Sequence, residues 1–226
     1  MSVSGETIEP LRNEELAALP VFPLPRVVFF PGSALPLHLF EPRYRAMMED
    51  CISVGPRAMA VALLAPGWES DYEGRPPIHT VAGAGRIVEL QRHPDGRFDL
   101  VLHGLSRVQL EELPEEGRLY RRARATPVFD RNPHPDAAER LVPDVLGAAS
   151  SIAAFVRQKH PSFELGVDLP MPPGAIADRL ADRLVADLPR RQALLEQADV
   201  KVRLALLHDA LLETLATIRP PSGRLH

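Results

Sequence analysis

Residues 81–103 read VAGAGRIVELQRHPDGRFDLVLH, and the turn inside this stretch decides how the chain is read. Residues 81–91 and 97–103 are apolar-rich runs on either side of His93-Pro94-Asp95-Gly96, whose Asp-Gly step supplies the positive backbone angles a tight hairpin demands. Two antiparallel strands are therefore expected. Downstream, residues 105–113 set Val108 and Leu110 among polar neighbours, as a half-buried strand should, and residues 120–129 add another. Upstream, RAMAVALL at 57–64 reads as a buried strand, followed by a loop at 65–77 rich in Gly, Pro and acidic residues. Gly83-Ala84-Gly85 lacks the third glycine and the following helix of a dinucleotide loop, since Val88 and a strand stand there. It reads as a β-bulge or a close backbone approach.

Further towards the N-terminus, LPVFPL, RVVFF and ALPLHLF are short extended segments separated by prolines and the Pro31-Gly32 turn, expected as edge or crossing strands. Glu41-Pro42 suits a helix start, because proline at the first helical position gives up only an amide that has no partner there. Tyr44, Met47, Met48 and Cys51 provide the apolar face of that helix. Beyond Asn132-Pro133-His134-Pro135 the periodicity changes from two to about 3.6 residues. Residues 136–160 form a helical pattern that Pro143 should kink or divide. Residues 174–188 align Ile176, Leu180, Leu184 and Leu188, and Pro189 opens a shorter helix through Gln197. A last helix, N-capped by Asp199, carries Val200, Leu204, Leu207, Leu211, Leu215 and Ile218 on one stripe and stops at Pro220-Pro221. That stripe packs either within the chain or on a second molecule, so a monomer or homodimer is expected.

Composition narrows the function classes. With 226 residues, 45% hydrophobic and 25% charged, the chain can bury a sizeable core. Its net charge of −4 offers no global field for phosphates, and the basic run at 120–124 suits solvated edge charges as well as a phosphate patch, so nucleic acid is not expected as partner. Cys51 is the one cysteine, which excludes an intrachain disulfide and a thiolate-paired zinc site. The polar, acidic N-terminus lacks the pattern of a secretory signal, and residues 27–40 are too short and too proline-interrupted to span a bilayer. A cytoplasmic protein with no membrane contact is expected. Lys159 and Lys201, the two lysines, follow no glycine, and Gly104-Leu105-Ser106-Arg107-Val108 lacks the last glycine of a nucleophile elbow. The eight histidines show no ligand pair at helical spacing; His38, His79 and His103 read as hydrogen-bonded core residues. No cofactor, metal site or catalytic residue is expected.

LPVFPLPRVVFFPGSALPLHLFEPRYRAMM at 19–48 resembles the opening of the substrate-binding N-terminal domain of Lon proteases. The agreeing features are Phe22-Pro23-Leu24, Pro31-Gly32, Leu35-Pro36-Leu37, and Phe40-Glu41 followed by Arg43-Tyr44 and Met47. Val81-x-Gly83-x-Gly85-x-Ile87, Pro94-Asp95-Gly96-Arg97, Gly104-x-x-Arg107 and Tyr120-x-x-Ala123 continue the likeness, and Ala181-Asp182 with Gln192-x-Leu194-Leu195-Glu196 carry it into the helices, over about residues 19–217. The resemblance implies an α+β fold: a PUA-like pseudo-barrel β subdomain at 19–130, after a tail at 1–18, followed by a helical subdomain at 131–226. Lon proteases continue into ATPase and Ser-Lys peptidase modules, whereas this chain ends at His226 with neither. The resemblance thus implies a non-catalytic domain that binds peptide or partially unfolded protein, as an adaptor or sequestering factor. A small-ligand or regulatory sensor using a PUA-like pocket is the alternative.

The candidate binding surface is Trp68, Tyr72, Phe40 and Tyr44. Trp68 and Tyr72 sit among polar loop residues that give no reason to bury them, and aromatic rings supply large contact area at small entropic cost. Packing of Trp68 over the barrel mouth is the other reading. Phe40 with Phe29 and Phe30 also suits a core role, the reading preferred for these positions, and Glu41 with Arg43 suits a charge pair at a helix start.

Overall fold

In the computed structural model, which describes residues 8–72 and 74–218, the chain divides after Val128 into two units. The first contains a short helix α1 (Asn13–Leu16), strands β1 (Leu19–Leu24) and β2 (Ala34–Leu39), helix α2 (Pro42–Ser53), β3 (Ala58–Leu63), a 3-10 turn (Trp68–Asp71), β4 (Val81–Arg92), β5 (Phe98–Glu112) and β6 (Arg121–Val128). The sheet order is β2-β5-β4-β3-β1-β6, and a further pairing of β5 with β6 closes five of the strands into a barrel. Among the described strands only β1 and β3 pair in parallel.

Strand β3, AMAVAL, explains the layering. Its side chains alternate between two faces, and all six residues are buried. Ala58, Ala60 and Ala62 meet Ala82, Ala84, Ala123, Ala125, Val21, Val108 and Leu110 from every strand of the ring, so this set is the barrel interior. A ring of five strands is narrow, and barrel diameter grows with strand number, which is why alanine dominates there. Met59 and Val61 point the other way, into a second core with Phe22, Phe98, Leu100, Leu102 and the Tyr44, Met47, Met48 and Cys51 face of α2. That helix forms as the sequence predicts, with Pro42 at its start.

Gly83 and Gly104 let the chain cross this sheet, and Gly85 lets β4 close on β5. A Cβ on Gly83 would lie 1.9 Å from the Phe29 carbonyl oxygen, one on Gly104 would lie 2.2 Å from that of Phe30, and one on Gly85 would lie 2.2 Å from that of His103. The Gly83-Ala84-Gly85 stretch is thus a close backbone approach, with a register shift between Ala84 and Gly85. The segment RVVFF, expected as extended strand, forms none; it crosses over these glycines and buries Phe29 and Phe30. Gly104 does not divide two strands as the sequence suggests. It lies inside one strand of 15 residues whose first part pairs with β2 and whose last part pairs with β6. Nor are β1 and β6 edges: each has two neighbours, and the open edge belongs to β2. Arg122 and Arg124 on β6 accordingly pair with Glu116 and Glu111.

The stretch read as an N-terminal tail includes α1, whose Leu16, with Leu11, packs on the barrel interior cluster. Glu15 is buried and held by Arg86 at 3.0 Å. Burial pushes its carboxyl up, but hydrogen bonds from Arg86, the Arg12 amide and the Arg12 side chain outweigh that and hold it at about 2.

The second unit contains α3 (Pro135–Arg157), α4 (Pro173–Leu184), α5 (Leu188–Glu196) and α6 (Val200–Ile218). Helix α3 continues through Pro143 rather than dividing there. Leu188 belongs not to the stripe of α4 but to the first turn of α5, where the Asp187 carboxylate accepts from the Arg190 amide at 2.9 Å. Asp199 caps α6 through the Val202 amide at 3.1 Å. Helix α6 packs against α3, α4 and α5, so Val200, Leu204, Leu207 and Leu211 are buried within the chain, while Leu215 and Ile218 are half-buried. The expected stop at Pro220-Pro221 lies outside the described residues.

The buried face of α6 also holds Arg203, fully enclosed. Its guanidinium reaches Asp130 and the Gln197 carbonyl at 2.6 Å each, and its Nε lies 3.3 Å from Asp178. Among the described residues no helix is long and apolar enough to cross a membrane.

Two stability predictions follow from these buried charges. Arg203→Met removes the buried cation that faces Asp130 and Asp178 and should cost about 3–5 kcal/mol, read as a lowered urea midpoint of the helical unit. The folded Glu15 carboxyl titrates below its unfolded value, so its stabilisation is complete above about pH 4.5 and is lost as pH falls towards 2. Glu15→Gln should therefore destabilise by about 2–3 kcal/mol at pH 7, with the gap from the parent chain closing in acid unfolding curves near pH 2.

Candidate functional site

The turn from β2 into α2 brings Phe40, Glu41 and Arg43 to the side of the barrel where the 65–77 loop returns. Phe40 is 60% exposed, so of the three phenylalanines read as core, Phe29 and Phe30 are core and Phe40 is surface. Glu41 sits at the helix start, yet its carboxylate does not cap the helix. One oxygen accepts from Arg43 at 2.8 and 2.9 Å, and the other from the Tyr72 hydroxyl at 3.2 Å. The expected Glu41–Arg43 pair is present and reaches into the loop.

Arg43 organises the aromatic residues. Its guanidinium lies 4.9 Å from the Tyr44 ring centre and 5.3 Å from that of Tyr72, between two negative ring faces. It also donates to the Tyr72 carbonyl at 3.3 Å. Trp68, on the 3-10 turn, meets Tyr72 edge-on at 5.6 Å between centres, and both rings are half-buried. Packing against a neighbour and exposure to solvent thus coexist at Trp68. Tyr44 is buried beneath Arg43 and edge-on to Phe22 at 4.4 Å, so only part of it is available, as the floor of a cavity.

That cavity has a volume of about 340 Å³ and is lined by Pro23, Tyr44, Leu64, Tyr72, Tyr120 and a set of arginines. A shallower concavity beside it is bounded by Phe40, Pro42 and Leu119, and the two share Arg43, Tyr72 and Leu119. Leu119 is 67% exposed. The arginines are neutralised in place: Arg75 by Glu112 and Glu115, Arg118 by Asp50, and buried Arg121 by Glu112 at 3.3 Å and by the Pro76 carbonyl at 2.6 Å. Burial pushes the Arg121 guanidinium below its ordinary value. The Tyr120 hydroxyl donates to Asp50 at 2.6 Å. Burial pushes Tyr44 and Tyr120 up to about 12, with Asp50 adding to the rise at Tyr120, and both stay protonated at neutral pH. The chemistry on offer is contact: aromatic faces, two exposed aliphatic or aromatic edges and hydroxyl donors, with ion pairs at the walls.

Phe40, Tyr44 and Tyr72 come together around Arg43, and Trp68 joins through Tyr72. Sequence reading missed Leu119, Arg43 as the organiser, and the arginine walls. Leu119, an apolar residue between Arg118 and Tyr120 and just after Gly117, was the available signal. Cys51 is buried, and burial raises its thiol to about 12, an inert state. The residues read as core histidines are not buried: His79 and His103 are half-buried and His38 is exposed. His38, His93 and Asp99 are the described group whose donor atoms lie close enough to share a metal ion.

The sequence profile of the ATP-dependent protease La (LON) substrate-binding domain matches residues 18–213. Lon protease of Anaeromyxobacter dehalogenans is 28% identical over 196 residues, covering 86% of this chain and 23% of that protein. Lon protease 2 of Myxococcus xanthus is 29% identical over 198 residues, covering 85% and 23%. The chain therefore spans under a quarter of the length of these relatives. Among solved structures, a Lon N-terminal domain protein from Xanthomonas campestris superposes with a TM-score of 0.56 at 22% identity, covering 90% of this chain and 99% of that one. The N-terminal domain of Lon protease from the Mycobacterium avium complex gives 0.65 at 18% identity, covering 87% and 98%. Both share the α+β architecture of a β pseudo-barrel followed by helices. With a barrel crossed at Gly83 and Gly104, a helical unit behind it in sequence, and a profile match over most of its length, the chain belongs to the Lon substrate-binding domain family.

Proposed function

We propose that this chain is a non-catalytic binding module that takes up extended apolar segments of peptide or partially unfolded protein, in an adaptor or sequestering role. One observation carries the reading: Phe40 and Leu119 expose large apolar side chains at the rim of concavities floored by tyrosines, next to the Tyr72–Trp68 pair. Exposed apolar groups gathered at a concavity mark a binding surface more often than scattered ones do. The open edge of β2 leads directly into Phe40, and an extended peptide can add to such an edge through main-chain hydrogen bonds while placing alternate side chains in pockets. The family description as a substrate-binding domain, with relatives that are named proteases, supports a protein partner. Electrically compensated arginine walls suit a partner chosen for apolar character rather than charge.

A second reading keeps support from the cavity itself. Its volume of about 340 Å³ falls at the lower end of small-ligand pockets, so a regulatory metabolite is the rival occupant.

Trp68 is the one tryptophan and reports on this surface. Titration with a reduced, alkylated and permanently unfolded protein should change its emission saturably. The double variant Phe40→Ser, Leu119→Ser should weaken that binding about tenfold or more, with unchanged thermal unfolding because both side chains are exposed. Equal affinity in the parent and the double variant would remove this surface from the reading. An emission response to a metabolite panel, with none to unfolded protein, would transfer the assignment to the small-ligand reading.

A further inference from the structure

We propose that His38, His93 and Asp99 form a binding site for a divalent transition metal of the zinc, cobalt or nickel class, at the end of the barrel that carries the β4–β5 hairpin. The proposal stands independently of peptide binding.

The sheet assembles three donors that sequence spacing keeps apart. In the register of β2 against β5, His38 lies directly opposite Asp99. In the register of β4 against β5, Gln91 lies opposite Asp99, and His93 follows two residues later on the same side of the chain. Asp99 is thus flanked from both neighbours. Its Oδ1 lies 2.5 Å from His38 Nδ1, and its Oδ2 lies 2.7 Å from His93 Nε2. All three donor atoms fall within 4.8 Å of one another.

The donor chemistry selects the ion. Two imidazoles and one carboxylate suit zinc, cobalt, nickel and copper, whereas calcium and magnesium prefer oxygen alone. Three protein ligands leave a fourth position open, and here it faces solvent, because His38 and Asp99 are nearly half exposed. Donors around a tetrahedral zinc at about 2.0–2.1 Å stand roughly 3.3 Å apart. The present contacts, at 2.5 and 2.7 Å, are those of hydrogen bonds between the carboxylate and the two imidazoles, and a metal takes their place as the three side chains open around it. Exposure leaves them room to do so.

The frame that holds the donors is stiff. Strand β2 is paired with β5 along its whole length. The hairpin turn is closed by the His93 amide donating to the Arg97 carbonyl at 2.8 Å, and Arg45 on α2 donates to the Gly96 carbonyl at 2.8 Å, which ties the turn to the helix. His38 further stacks on Phe40 at 6.1 Å between ring centres, which steadies its ring. A mere surface ion pair uses one imidazole per carboxylate. Here both carboxylate oxygens are turned to imidazole nitrogens on either side.

The test uses the full chain without an affinity tag, stripped with chelator and then titrated calorimetrically with zinc chloride. One equivalent should bind with a Kd in the micromolar range, and His38→Ala, His93→Ala and Asp99→Ala should each weaken it by about tenfold or more. Cobalt should give visible ligand-field absorption in the parent chain and none in the His38→Ala, His93→Ala double variant. The side chains are exposed or half-buried, so metal-free variants should melt as the parent does. Absence of stoichiometric zinc binding by the parent overturns the proposal. So does binding retained by the double variant, which would place the metal on other histidines.

Discussion

The first unit depends on one close contact of main chain with main chain: the Phe29–Phe30 segment lies against Gly83 and Gly104 with no space for a Cβ. A side chain at Gly83 or Gly104 would have to displace backbone, which is far more costly than shifting a flexible side chain. The crossing drops Phe29 into the core between sheet and α2, and the Gly32 and Gly104 amides then bond across it at 2.8 Å each. From there the chain continues along β5, as β2. The open sheet edge, the position of Phe40 and the entry of α2 are consequences of that crossing.

Two cores with opposite demands sit on the two faces of the same strands. The interior of a five-stranded ring accepts alanines, while the outer face needs methionines, phenylalanines and the apolar side of α2. Substitution in β3 is accordingly constrained at every position, by overpacking on one face and by cavity formation on the other. The candidate surface is built from segments that lie outside both cores: the β2–α2 turn, the loop between β3 and β4, and the turn before β6. Those three segments supply Phe40, Tyr72 and Leu119, and Arg43 ties the first two together through ring faces and a shared carboxylate.

Charge in this molecule is placed rather than accumulated. Arg203 in the helical unit, Arg121 under the loop and Glu15 beside the barrel, paired with half-buried Arg86, are all buried and all compensated. The arginines of 120–124, which in the sequence suggest either a phosphate patch or edge charges, are spent on Glu112 and Glu111 across the barrel seam and on Glu116 in the turn before β6. Their pairing leaves an apolar rim as the dominant feature of the site.

Local chemistry made much of this readable in one dimension. The Asp95-Gly96 hairpin, the alternation in β3, the proline at the start of α2 and the change of period after Asn132 are properties of neighbouring residues, and they name the α+β class, the apolar face of α2 and the helices that follow the barrel in sequence. Trp68 and Tyr72 stood out because aromatic rings among polar residues are locally anomalous. Folding in three dimensions alone settled which strands have two neighbours, because pairing partners such as β1 and β6 are about a hundred residues apart and hydrogen-bonding capacity is the same at every residue. It likewise decided that Phe40 faces solvent while Phe29 and Phe30 do not, that Arg203 belongs to a buried stripe, and that His38, His93 and Asp99 meet. Burial and convergence depend on what other elements bring to the same point in space, and no window of adjacent residues carries that information.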